Sequence, residues 1–187
     1  LREIPVKILR ATLAHLDLVV PLFDAYRVFY KASSDLMRSK QFIQDRLLNH
    51  ESVIFVALEQ VEKQEIGCGF VQLYPSFSSI EMQSMYILHD LYVAPEFRKQ
   101  GIGQQLMKTA KAFALEKGAS KLTLMTARDN TAAQKLYESE GYQKEDCYIS
   151  YDLSLMDLRK TRDSSTMLHA FEDLSNHETG DPSLNNA

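Results

Sequence analysis

Residues 85–117 restrict this chain more than any other stretch. They run as an apolar strand interrupted only by His89 and Asp90, then Pro95, then Arg98-Lys99-Gln100-Gly101-Ile102-Gly103, then a helical face of Ile102, Leu106, Ala110, Phe113 and Ala114 that stops at Gly118. A buried strand feeding a glycine-bearing turn into a helix needs a sheet to sit in. At the turn it presents the unpaired N–H groups and the positive dipole end of the helix, which together make an anion cradle. Arg98 and Lys99 add charge at its rim. Leu106 stands where the third glycine of a dinucleotide fingerprint belongs, and no acidic residue ends a second strand about 20 residues on. A P-loop fails as well, because no Gly-Lys-Ser/Thr follows.

The flanking segments place this unit in a mixed sheet. Residues 4–10 read as a first strand, and Thr12 stands where a cap belongs ahead of a helix carrying Leu16, Val19, Val20, Phe23 and Tyr26. A second helix is predicted over 34–49, then a β-branched strand at 53–58, a polar hairpin loop at 59–65, and a strand from Ile66 that Pro75 ends. Gly67 and Gly69 within it mark close backbone approach. Residues 122–126 form a short buried strand; Asn130 caps a helix with Ala133, Leu136, Tyr137 and Glu140 on its inner face, and Gly141 ends it. The last strand or strands are expected at 142–153. Alternating strands and helices after residue 85 predict parallel pairing there, and the hairpin predicts antiparallel pairing before it.

At 187 residues the chain has length for about one core. The expected organisation is one folded domain over 1–154 and a polar tail over 155–187, with one amphipathic turn or two near 165–175. A net charge of −4 offers no basic field for nucleic acid, so any phosphate site must be local. No apolar run approaches about 18 residues, and the amino end lacks a signal cleavage site, so no membrane is expected as a partner. Cys68 and Cys147 lack CxxC spacing and the five histidines are scattered; no metal site or disulfide framework is readable, and a reducing cytoplasm fits.

Two motifs in order carry a resemblance: Arg98-x-x-Gly101-x-Gly103 after a strand, and Asn130-x-x-Ala133-x-x-Leu136-Tyr137-x-x-x-Gly141-Tyr142. The chain resembles the GNAT superfamily of N-acetyltransferases over roughly residues 4–153, with Tyr142 in place of that pattern's Phe. The resemblance implies an α/β fold with a central mixed sheet flanked by helices, and acetyl-CoA as co-substrate. It further implies pantetheine bonded to the backbone of Leu91, Tyr92 and Val93, and pyrophosphate on Arg98, Lys99, Gln100, Gly101, Ile102, Gly103 and Gln104. In this family the strand splays from its neighbour there.

Acetyl transfer to an amine needs a neutral amine, an oxyanion donor and a proton for the departing thiolate. His89 is similar in position to a proposed glutamate base of the diamine acetyltransferase branch, and Asp90 matches the acidic residue beside it. Strand parity puts the two on opposite faces unless a bulge resets the count, so the base is left open between them. The oxyanion donor is expected to be a backbone N–H near Leu91. Tyr137 lies seven residues after Asn130, hence on nearly the same helical face about 10.5 Å further along. Resemblance assigns the pantetheine amide to Asn130 and the thiolate proton to Tyr137. Capping and core packing are the plainer alternatives for those two. The acceptor is expected to be a primary amine of a small molecule, held by Tyr26, Phe29, Tyr30, Tyr74 and Phe77 with Asp24, Asp35 or Glu81. A protein acceptor, or a non-catalytic acyl-CoA-binding regulatory module, is the alternative, and a homodimer is left open. The stretch QLYPSFSS, residues 72–79, resembles a bacterial GNAT branch of open substrate range.

Overall fold

The computed structural model describes residues 6–155. Five strands, β1 (Lys7–Arg10), β2 (Val53–Val61), β3 (Gln64–Ser78), β4 (Gln83–Val93) and β5 (Lys121–Leu124), form one sheet in chain order. Pairing is antiparallel from β1 to β4 and parallel between β4 and β5. The mixed α/β architecture expected from the strand and helix pattern is therefore present. Helices α1 (Leu16–Phe29) and α2 (Leu36–Leu48) cover one face and α3 (Ile102–Glu116) the other; α4 (Thr131–Ser139) lies against the start of α3.

β2 shows why the apolar run at 53–58 is continuous rather than alternating. Ile54, Val56 and Leu58 enter the core under α1 and α2, while Val53, Phe55 and Ala57 enter the core under α3, so both faces of the strand are buried. Gly67 sits beneath α1, where a Cβ would lie 2.8 Å from the Leu18 carbonyl oxygen, so a side chain there would push the helix off the sheet.

Three local expectations need correction. The hairpin turn is only Glu62 and Lys63, because β2 runs on to Val61 and β3 begins at Gln64; Glu59, Gln60 and Val61 pair with Ile66, Glu65 and Gln64 across an exposed end of the ribbon. Pro75 does not end β3, since it pairs with Tyr86. β2 stops at the Val53–Leu73 pair, so Pro75 has a neighbour on one side alone and its missing N–H can face the open side. Residues 142–153 form no strand. Tyr148, Ile149, Tyr151 and Leu153 are all exposed, so the apolar pattern there reflects no buried face.

The chain divides into two units, 1–144 and 145–187. In the second, the described residues are irregular, with the Cys147 N–H donating to Glu145 Oε1 at 2.9 Å. The turn of helix expected near 165–175 lies outside the described residues.

One buried charge ties α1 to α2. Asp24 Oδ2 accepts from the Ser34 hydroxyl at 2.6 Å, and its Oδ1 accepts from the Asp35 N–H at 2.8 Å, the Ser39 hydroxyl at 3.0 Å and Arg27 Nη1 at 3.2 Å. Burial opposes the charge, but these donors more than offset it and hold the carboxyl below its usual range. A lowered folded value means the stabilisation is present above the unfolded carboxylate range near pH 4 and is lost as pH falls through the lower folded value. Asp24→Asn should therefore lower the melting temperature by several degrees at neutral pH and by progressively less toward pH 3. A constant difference across that range would contradict this account.

Candidate active site

The turn after β4 is built as the glycine spacing requires. A single 3₁₀ turn over Pro95–Phe97 leads to Lys99 at φ 61° and Gly101 at φ 81°, and this left-handed kink aims the backbone into α3. The first ladder bond of α3 runs from the Gln105 N–H to the Gly101 oxygen at 3.0 Å, with no side-chain cap. The N–H groups of Ile102, Gly103 and Gln104 thus stand ahead of the ladder, free for an anion. The Gln104 side chain is engaged elsewhere, donating to Glu140 Oε1 at 2.6 Å. Gln100 Nε2 donates back to the Glu96 carbonyl at 3.2 Å.

Arg98 folds differently from the rim position expected of it. Its Nε donates to the Val93 carbonyl at 2.9 Å, and its guanidinium lies over the rings of Tyr92 and Phe29 at 5.6 and 5.7 Å. It locks the end of β4 to the end of α1 and takes up one backbone acceptor of Val93.

β4 outlasts its parallel neighbour. Pairing with β5 ends at Leu88–Leu124, while β4 continues to Val93, so the stretch 89–93 that includes Leu91 and Tyr92 has no strand on that side. Backbone groups left open at a strand edge suit a linear amide ligand. Together with the free N–H groups of α3, this edge fits the pantetheine and pyrophosphate parts of acetyl-CoA.

The register slips where the sequence left two residues undecided. Gln72 pairs with Asp90 and Leu73 with Leu88, which makes His89 the extra residue of a bulge. The slip reverses the side-chain count: Tyr86 and Leu88 pack toward α3, as do Leu91 and Val93. His89 and Asp90 consequently line the same cavity, of about 360 Å³, with Phe23, Tyr26, Arg27, Arg38, Ser39, Phe42 and Tyr74. Asp90 is buried and His89 about half exposed, with His89 Nδ1 3.2 Å from Asp90 Oδ1. The Tyr74 ring meets His89 edge-on at 5.3 Å. Burial pushes the Asp90 carboxyl up, while hydrogen bonds from His89 and Tyr26 pull the other way without cancelling it. Burial also pushes the Tyr74 phenol up to about 12, with the Asp90 charge adding to it.

Tyr26 joins this pair to α4. Burial, then the Asp90 carboxylate to which it donates, and then the charges of Tyr30 and Tyr137 all raise its phenol. Tyr137 is itself held above the usual phenol range by burial and by Tyr30, with a hydrogen bond to Thr126 working against them. The phenol therefore stays protonated and able to donate at neutral pH. Asn130 is the cap that its plainer reading supposed: its Oδ1 accepts from the Ala133 N–H at 3.3 Å and its Nδ2 donates to Thr126 Oγ1 at 3.3 Å. At φ −80° and ψ 64° it lies outside the helix, so the seven-residue spacing to Tyr137 does not run along one helical face.

Thr126, which bridges Asn130 and Tyr137, carried no signal in the sequence, being an ordinary strand-end threonine. Arg27 and Arg38, which line the cavity, carried no signal in the sequence either. Of the expected acceptor residues, Tyr26 and Tyr74 line the cavity. Asp24 is saturated by its own donors, Asp35 caps α2 through the Arg38 N–H, and Glu81 accepts from Ser120. Phe77 is 80% exposed. Cys68 is buried, its thiol pushed up to about 11 by burial and donating to the Ala57 carbonyl.

The model of the Acetyltransferase (GNAT) family matches residues 19–142. The chain belongs to this family. An uncharacterized N-acetyltransferase of Bacillus subtilis (strain 168) is 44% identical over 137 residues, which cover 73% of this GNAT chain and 89% of the relative. The crystal structure of a probable acetyltransferase aligns at a TM-score of 0.73 and 42% identity, covering 79% of this chain and 97% of that one. A thialysine N-epsilon-acetyltransferase of Bos taurus is 40% identical over 75 residues, 40% of this chain and 44% of its own. GNAT proteins use acetyl-CoA, and this chain is an acyltransferase that moves an acetyl group to an amino group. No helix among the described residues is long and apolar enough to cross a membrane.

Proposed function

We propose that the acceptor is a primary amine of a small molecule, acetylated by direct attack in a ternary complex. The observation that carries this reading is the β4 bulge, which turns His89 and Asp90 into one cavity at the point where β4 loses β5. A cavity of about 360 Å³ walled by two helices suits an amine of amino-acid size better than a polypeptide segment. The partial match to a thialysine N-epsilon-acetyltransferase supports a small acceptor as well.

With its proton on Nδ1, 3.2 Å from the buried Asp90 carboxylate, the His89 imidazole keeps a lone pair on Nε2. His89 is then the general base for the acceptor ammonium and Asp90 the group that orients it. Acetyl-CoA supplies the acyl group, activated as a thioester. The backbone near Leu91 offers the oxyanion donor, and Tyr137 gives its phenolic proton to the departing sulfur. Gly101, Ile102, Gly103 and Gln104 hold the pyrophosphate through their N–H groups, with Lys99 beside them. Asn130 and Thr126 set the start of α4 and with it the position of Tyr137.

Release of free thiol from acetyl-CoA, measured over a panel of small amines and amine-bearing peptides, tests the acceptor class. Turnover of the peptides alone would overturn it. The cradle has a separate test. Acetyl-CoA should raise the melting temperature, since a ligand of the native state stabilises it by mass action. Gly103→Val should abolish that shift, because the side chain crowds the N–H groups. Its first carbon would meet Leu136 Cδ2 at 3.3 Å, a contact the leucine can yield to, so the free protein should melt close to the parent. An undiminished shift in Gly103→Val would remove the cradle from this account.

A further inference from the structure

The α1–α2 wall of the cavity that His89 also lines carries two arginines with unused donors. Arg27 makes both of its side-chain bonds through one nitrogen, Nη1, to Asp24 Oδ1 at 3.2 Å and Ser39 Oγ at 3.3 Å. Its Nε and Nη2 have no partner among the described residues, and the guanidinium is aimed by a carboxylate that other donors already saturate. Arg38, at the exposed start of α2, has no side-chain hydrogen bond or ion pair among the described residues. The one carboxylate lining the cavity, Asp90, is 4% exposed and bonded by His89 and Tyr26. The accessible charge of the lining is therefore positive. A second ammonium on a diamine would meet two guanidinium groups and no free acid.

We propose that Arg27 and Arg38 form a carboxylate subsite, so that the acceptor is an amine bearing a carboxylate, an amino acid rather than a diamine or polyamine. This rests on the small-amine reading above. A guanidinium fork binds a carboxylate through two parallel hydrogen bonds, which fixes the orientation of the molecule and points its amine toward His89 in the same cavity. It also replaces the cation-binding role expected of Asp24, Asp35 and Glu81, none of which has a free carboxylate in the cavity.

The test compares acceptors that differ only in that group. L-lysine, L-ornithine and glycine are each assayed against their methyl esters, with cadaverine and putrescine as the decarboxylated partners of the first two, by thiol release from acetyl-CoA. The free acids should be favoured in kcat/KM by about tenfold or more, the size of a charge-assisted contact. Arg38→Gln should compress the acid-to-ester ratio, mainly through a higher KM for the acid. Arg27→Lys, which keeps the charge beside Asp24 but not the fork, should compress it in the same direction. Esters or diamines turned over as well as the acids, or variants that slow acid and ester alike, would overturn the subsite and leave the small-amine reading standing. If acetyl-CoA still raises the melting temperature but no free amine of any kind is acetylated, both fail.

Discussion

Tyr137→Phe should lose turnover while keeping acetyl-CoA. The substitution removes one hydroxyl from a half-buried ring packed 6.1 Å from Tyr142, so shape and stability are retained. Departure of the thiolate then lacks its proton. General acids contribute about 10²- to 10⁴-fold, and the loss should fall on kcat rather than on KM for acetyl-CoA. The pH profile carries a second signature. Burial and Tyr30 raise the phenol above its ordinary value near 10, so its protonated form extends to higher pH than that of a free tyrosine. The parent enzyme should therefore keep its kcat up to that ordinary value, and any alkaline loss due to Tyr137 should vanish in the variant. Steady-state kinetics with melting as the check on folding decides it, and a normal kcat in Tyr137→Phe would assign the residue to packing.

His89→Gln is expected to cost a similar factor for a different reason. Its ring is about half exposed in the cavity and contributes nothing to the core, so the fold should stand. Without the imidazole the acceptor ammonium keeps its proton, and only the minor free-base fraction reacts. Activity should fall by about 10²-fold or more near neutral pH. It should recover steeply as the pH rises toward the pKa of the acceptor itself, where the free-base amine no longer needs a base. Asp90→Asn separates orientation from proton transfer. It leaves the pocket filled but disturbs the Nδ1 contact at 3.2 Å, so turnover should fall less than in His89→Gln. A His89→Gln enzyme with an unchanged profile would return the base to Asp90 or to solvent.

The turn into α3 and the family were legible because they depend on local chemistry. Arg98-x-x-Gly101-x-Gly103 needs only a strand before it and a helix after it, and the glycine at φ 81° is readable from residue type alone. The α4 pattern was legible likewise, with Asn130 at its cap. The mixed sheet was legible where the connection decides the pairing: the short turns β2–β3 and β3–β4 force antiparallel neighbours and α3 lets β5 run parallel to β4, whereas β1 and β2 pair antiparallel although two helices join them. Pairing partners are a different matter. Pro75 was misread because its tolerance depends on where β2 ends, and 142–153 was misread because an apolar run predicts a strand only if a neighbour covers it.

The active centre needed tertiary structure for the same reason. Whether His89 and Asp90 share a face depends on a one-residue slip against Gln72 and Leu73, and register is set by the partner strand, not by the residues that slip. Arg27, Arg38 and Tyr26 reach the site from helices far earlier in the chain, and only the packing of α1 and α2 on the sheet brings them to β4. Local sequence determined where a strand turns into a helix with free N–H groups at its start; contacts between residues about 15 to 110 positions apart decided which side chains face the cavity, because side-chain direction in a sheet is set against the neighbouring strand and the helices arrive by packing on it.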